Sequence, residues 1–120
     1  EDMKDNVVKD KSLEFAVRIV NLYKFLVNEQ KEFVMSKQIL RSGTSIGANI
    51  REAEQAQSRA DFINKLNIAL KEANETEYWL ELLIRTEYIT REQYESINND
   101  STEINKLLIS IIKTTKNNYR

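Results

Sequence analysis

The sequence contains no cysteine, no histidine and no proline, with only two glycines and one tryptophan. Without cysteine there is no disulfide, which excludes the small secreted scaffolds that depend on one. Without histidine as well, the usual ligands of zinc, haem and copper are missing, and so is the commonest general base. Catalysis would fall to Glu, Asp, Lys or Tyr, and neither an enzymatic activity nor a cofactor is expected. No apolar run approaches the roughly 20 residues of a membrane-spanning helix. Residues 1–11 mix acids and bases around no apolar segment, so neither a signal peptide nor a membrane anchor is expected and a cytoplasmic location is.

What is present points to long helices, because nearly a third of the residues are charged and helix breakers are almost absent. A single domain over 1–120 is expected, all-α, as an antiparallel up-down four-helix bundle. The clearest period is Phe62, Leu66, Ala69, Ala73, Thr76, Leu80 and Leu83, which alternates steps of four and three and predicts a packed helix over 59–85. Ser58 with Asp61 resembles a capping box at its start, and Thr90 with Gln93 forms a regular one for a helix over 91–117. In that last helix Tyr94, Ile97, Ser101, Ile104, Leu108, Ile111 and Thr115 keep the rhythm.

The first helix is expected over 10–27, capped by Asp10 or Ser12 after a frayed start. It carries two apolar seams: Leu13, Ala16, Val20, Tyr23 and Val27, and beside them Phe15, Ile19, Leu22 and Leu26. One neighbour needs only one seam, so this helix is either deeply buried or shared with another subunit. The second helix is expected over 32–57 along Ile39, Gly43, Ile46, Ile50 and Ala53. Its middle is rich in small and β-branched residues that a turn would tolerate, yet the period keeps its phase through Gly43 and Gly47, which favours a continuous helix. The four-residue spacing of the two glycines suits close approach of a neighbouring helix. A phosphate loop is disfavoured, since no strand precedes the glycines and no Lys follows them.

Several polar sets can be read as sites. Ser42, Ser45, Asn49 and Glu52 form a row beside the Ile46 seam; for Asn49 and Glu52 a structural or interface role ranks ahead of catalysis, because no nucleophile–base pair is evident. Glu52, Glu72, Glu75, Glu77 and Glu81 resemble the carboxylates of a di-iron bundle, but that centre needs a Glu-x-x-His repeat, so no metal is expected. Trp79 and Tyr78 lie off the main seam, and for Trp79 a subunit contact ranks ahead of burial and of base stacking. Arg41, Arg51, Arg59 and Lys65 are the candidates for nucleic-acid contact, although acids lie among them and the sequence pI is near 5.6. Charge is polarised along the chain: residues 72–103 hold nine acids and two bases, whereas 104–120 hold Lys106, Lys113, Lys116 and Arg120 and no acid.

The segments RSGTSIGANIREA over 41–53, ADFINKLNIALKEA over 60–73 and ETEYWL over 75–80 resemble the bacterial four-helix-bundle family named after the 23S rRNA intervening sequence. The resemblance extends from KSLEFA at 11–16 to YITREQY at 88–94 and the last helix, and is most specific over 45–52. It implies an up-down bundle assembled as a homopentamer, with no enzymatic activity. The family is also similar to the accessory variability determinant of diversity-generating retroelements, a more basic pentamer that partners a reverse transcriptase and binds nucleic acid. Expected partners are therefore copies of the same chain, with a protein or nucleic acid as a further one and no membrane. Ser45, Asn49, Glu52, Gly43, Gly47, Glu75 and Trp79 are the expected structural or interface residues.

Overall fold

An apolar edge repeating every three to four residues runs along each helix, and four such edges close on one core. The structure, a computed structural model, describes residues 3–118. Arg120, part of the basic C-terminal segment, lies outside them. Helix α1 spans Met3–Asn28, α2 Met35–Glu54, α3 Arg59–Arg85 and α4 Arg91–Asn117. No strand occurs among the described residues. Each helix packs on the next and α4 returns to α1, so that the four close a square around the core. Neighbours run antiparallel: α2 pairs Arg41 with Glu72 near its start and Glu52 with Lys65 near its end. The expected all-α up-down bundle results, a rod of 51 × 23 × 19 Å. A helix of 27 residues is about 40 Å long at 1.5 Å per residue, so the two longest helices set most of its length.

The core follows the seams. Leu66, Ala69, Ala73, Thr76, Leu80 and Leu83 of α3 are all buried, as are Ile39, Gly43, Ile46, Ile50 and Ala53 of α2. Helix α2 is thus continuous through both glycines. A Cβ on Gly43 would lie 2.7 Å from Cγ1 and 2.8 Å from Cγ2 of Ile19, itself fully buried on α1. Gly47 sits over Ser12, whose Oγ would be 3.3 Å from an added Cβ. The glycine pair therefore lets α1 and α2 approach closely, and Ile19 fills the space that a side chain at 43 would need.

The helix limits differ from the sequence expectation in three places. Helix α1 begins at Met3 rather than at residue 10, because Val8 continues the inner seam through Ser12, Phe15 and Ile19 and is 1% exposed. Two adjacent valines among charged and polar residues give no visible helical period, but Val8 docks the first turns. Helix α2 begins at Met35 rather than 32. Lys31 takes a left-handed backbone (φ 55°), and the carboxylate of Glu32 folds back over the helix start. It accepts from the backbone N–H groups of Val34 at 3.2 Å, Met35 at 3.0 Å and Ser36 at 2.7 Å. Three of the donors that a helix start leaves open are met by one buried side chain. Helix α2 also stops at Glu54, before Ser58, whose Oγ accepts from the Asp61 N–H at 3.1 Å and opens α3.

The turn into α4 uses the expected capping box, Thr90 Oγ1 accepting from Gln93 N–H at 3.1 Å and Gln93 Oε1 from Thr90 N–H at 2.8 Å. Helix α3 ends in a Schellman arrangement, with Tyr88 N–H on the Leu83 carbonyl and Glu87 N–H on that of Ile84. Glu87 takes the left-handed position at φ 67° that glycine usually fills.

Two measurements check these features. Gly43→Ala should destabilise the bundle by about 1–3 kcal/mol in urea unfolding, because the clash with Ile19 outweighs the helix-propensity gain, whereas Gly47→Ala should be close to neutral. Glu32→Ala should cost about 2 kcal/mol by the same measurement, since it leaves buried N–H groups unmet. A stabilising Gly43→Ala or a silent Glu32→Ala would contradict the packing described.

Candidate functional site

The Leu13 seam of α1 is only partly covered by α2, and Val17 beside it is uncovered. Leu13 and Val17 are 51% and 55% exposed, while Ala16, Val20, Tyr23 and Val27 are half-buried along the α2 flank. Close approach at Gly47 brings Thr44 and Ala48 of α2 beside them. A shallow groove of about 210 Å³ results, lined by Leu13, Ala16, Thr44, Gly47, Ala48 and Arg51. A second exposed apolar set lies at the start of α2, with Phe33 at 52% and Val34 at 72%. Tyr78, exposed on α3, stands edge-on to Trp79 at 5.0 Å between ring centroids.

Arg41, a candidate for nucleic-acid contact, ties α2 to α3. Its Nη1 is 3.2 Å from both Glu72 carboxylate oxygens and its Nη2 2.5 Å from Glu75 Oε1. Glu75 Oε2 accepts the indole N–H of Trp79 at 3.0 Å. Trp79 is half-buried and packs against the core. The Arg41 hydrogen bond, then that of Trp79, holds the Glu75 carboxyl below its usual range, against a smaller opposing effect of burial. Glu75 and Glu72 in turn raise the Arg41 pKa. Beneath this cluster the hydroxyls of Ser42 and Thr76 meet at 2.9 Å in the core.

The remaining residues of the polar row turn inward on their own helix. Ser45 Oγ donates to the Arg41 carbonyl at 2.6 Å and Asn49 Nδ2 to that of Ser45 at 2.9 Å. Glu52 is exposed and pairs with Lys65 at 3.1 Å. The row therefore spreads over a core contact, two local bonds and an ion pair, and does not converge on one point. Of the basic candidates, Arg41 and Lys65 are ion-paired, Arg59 is half-buried at the start of α3, and Arg51 is exposed at the α1–α2 groove. The acids read as a metal-centre alternative also diverge, Glu81 pairing with Arg85 and Glu77 turning to α4.

Sequence reasoning did not find two interhelical clamps. Glu77 Oε2 accepts from Ser101 Oγ at 3.0 Å and Asn105 Nδ2 at 2.8 Å, joining α3 to α4. Arg18 of α1 reaches Asp100 at 2.7 Å and Ser96 Oγ at 2.9 Å on α4. For the Glu77 clamp the available signal was Ser101, a hydroxyl between the apolar Ile97 and Ile104 of the seam, which calls for a partner from a neighbouring helix.

The Arg41–Glu75 pair makes a pH-dependent contribution of known sign. Because the folded pKa of Glu75 lies below its ordinary 4.5, the stabilisation is complete above that value and is lost as pH falls through the depressed one. The side chains are 49% and 37% exposed, so the contribution is screened to about 1 kcal/mol at most. Glu75→Gln should be less stable than the parent by about that amount at pH 7, and the gap should close towards pH 3 in denaturant unfolding. A gap independent of pH would rule this pairing out.

Comparison with known proteins adds two findings and one blank. No curated protein matches the chain. The crystal structure of a protein of unknown function of the S23 ribosomal protein family from Bacteroides thetaiotaomicron VPI-5482 is similar at a TM-score of 0.89. It is 98% identical, with 92% of this chain and 96% of that chain covered. The model of the 23S rRNA-intervening sequence protein family matches residues 4–110, nearly the full length of the bundle, and the chain belongs to that family.

Proposed function

We propose that the protein is a non-enzymatic, homo-oligomeric helical bundle acting as a binding or scaffolding module, with the pentamer that the resemblance implies as its assembly. The observation that carries this reading is the outer face of α1, where Leu13, at the lip of the α1–α2 groove, and the neighbouring Val17 are more than half exposed. Burying a Leu or Val side chain contributes about 1.5–3 kcal/mol, so a few such residues repeated around a ring provide a substantial drive. A closed ring uses two different surfaces on each subunit. Phe33 and Val34 at the start of α2 supply a second exposed apolar set distinct from the first.

The alternative, an RNA- or DNA-binding accessory protein partnering a reverse transcriptase or ribosomal RNA, has less support. Its expected contacts Arg41 and Lys65 are engaged by Glu72, Glu75 and Glu52, which neutralises the stripe they would form. Light scattering behind a sizing column separates the readings. The parent chain should elute near five times 14.1 kDa, and the double variant Leu13→Glu with Val17→Glu should fall to the single-chain mass while keeping its helical circular dichroism. A parent that is monomeric at micromolar concentration, or an assembly indifferent to both charges, would sink the proposal.

A further inference from the structure

Two helices present exposed apolar residues inside stripes of opposite charge. On α1, Leu13 and Val17 are more than half exposed, with Asp10 three residues before Leu13 and Glu14 three before Val17. On α4, Ile109 is 56% exposed, with Lys106 three residues before it and Lys113 four after. Residues at those spacings are neighbours on one helix surface. All four charged side chains are exposed, and none enters an ion pair among the described residues. Arg41 and Lys65, by contrast, are neutralised inside the protomer.

The two stripes lie on opposite sides of the bundle. Leu13 borders the groove between α1 and α2. Ile109 follows one turn after Asn105, which is bonded to Glu77 of α3, and so belongs to the α3–α4 side. Phe33 and Val34, in the turn that joins α1 to α2, extend the side that carries Leu13. Like faces repel: two α1 stripes would set acid against acid, and two α4 stripes lysine against lysine. Unlike faces attract, and each supplies apolar surface for the other to cover.

We propose, resting on the assembly put forward above, that the Leu13–Val17 stripe of one copy docks on the Ile109 stripe of the next, with Asp10 against Lys113 and Glu14 against Lys106. Subunits of a closed ring point the same way along its axis, so α1 of one copy lies antiparallel to α4 of its neighbour. With Leu13 set on Ile109, Asp10 and Lys113 fall one turn to one side, and Glu14 and Lys106 fall to the other. Within the protomer Lys4 meets Ser110 and Lys11 meets Glu103, which sets Ile109 level with Asp5, about eight residues or about 12 Å from the level of Leu13. The bundles therefore lean across the ring axis to bring the two stripes together.

Charge reversal in the full chain, read by light scattering behind a sizing column, tests the choice of faces. Asp10→Lys with Glu14→Lys, and separately Lys106→Glu with Lys113→Glu, should each raise the concentration for half-assembly at least about tenfold at low salt, with helical circular dichroism kept. All four reversals in one chain should return it to within about threefold of the parent. Because the chain has no cysteine, Leu13→Cys with Ile109→Cys should oxidise to a ladder of more than two linked chains. A parent that assembles while neither pair of reversals weakens it, a combined chain that stays disrupted, or a missing ladder overturns these faces and leaves the assembly reading standing. Linked pairs from Leu13→Cys alone put two α1 faces together and overturn them too. A monomeric parent overturns the assembly reading and this inference with it.

Discussion

The close approach of α1 and α2 is the constraint from which most of the arrangement follows. With no side chain at Gly43, Ile19 can enter the α2 surface, and the rotation this imposes on α1 fixes which of its two seams faces inward. Phe15, Ile19 and Leu26 go to the core, and Leu13 and Val17 are left outside. On α2 the same contact turns Ser42 and Arg41 towards α3, where they meet Thr76 and the two glutamates. One missing Cβ thus decides both the interior packing and the identity of the exposed stripe.

Apolar seams alone leave the axial register open, because a heptad pattern slid by one repeat still places leucine and isoleucine against each other. Polar contacts between specific positions remove that degeneracy. Each interface has such a contact: Lys9 with Glu54, Arg41 with Glu72 and Glu75, Glu77 with Ser101 and Asn105, and Arg18 with Asp100. Individually the exposed ion pairs contribute little, about 0–1 kcal/mol. The buried Ser42–Thr76 contact adds one hydrogen bond that slippage would break, about 0.5–1.5 kcal/mol, while each hydroxyl also reaches a carbonyl of its own helix. Register is therefore held by several modest contacts acting together.

The inner faces were legible in the sequence wherever several apolar residues repeated at helical steps, as from Leu66 to Leu83 or from Ile39 to Ala53. The phase kept through Gly43 and Gly47 was enough to read α2 as unbroken, because a periodic signal survives the loss of one side chain. Val8 was not legible, since it and the adjacent Val7, among charged and polar residues, define no helical period. Glu32 was hidden for a different reason: its neighbours resemble a helix start, and only the left-handed turn at Lys31 reveals that its carboxylate caps the helix instead of belonging to it. The Arg41, Glu77 and Arg18 clamps join residues 31, 24 and 82 positions apart, which no local pattern can pair. The pairing of Arg41 and Lys65 was hidden for the same reason, as the acids that hold them come from, or lie across, another helix.

The ion pairs also bear on how the surface can act. Attraction to a polyanion depends on cations available to displace counterions, and a lysine or arginine already held by a carboxylate is a poor one. Hydrophobic association has no such requirement, since it scales with the apolar area removed from water. Pairing Arg41 and Lys65 within the protomer therefore lowers the electrostatic reach of the α2–α3 face while leaving the Leu13–Val17 stripe untouched. The residues that neutralise this face are the same ones that fix the register of α2 on α3, so one set of contacts sets both the packing and the electrostatics of the α2–α3 surface.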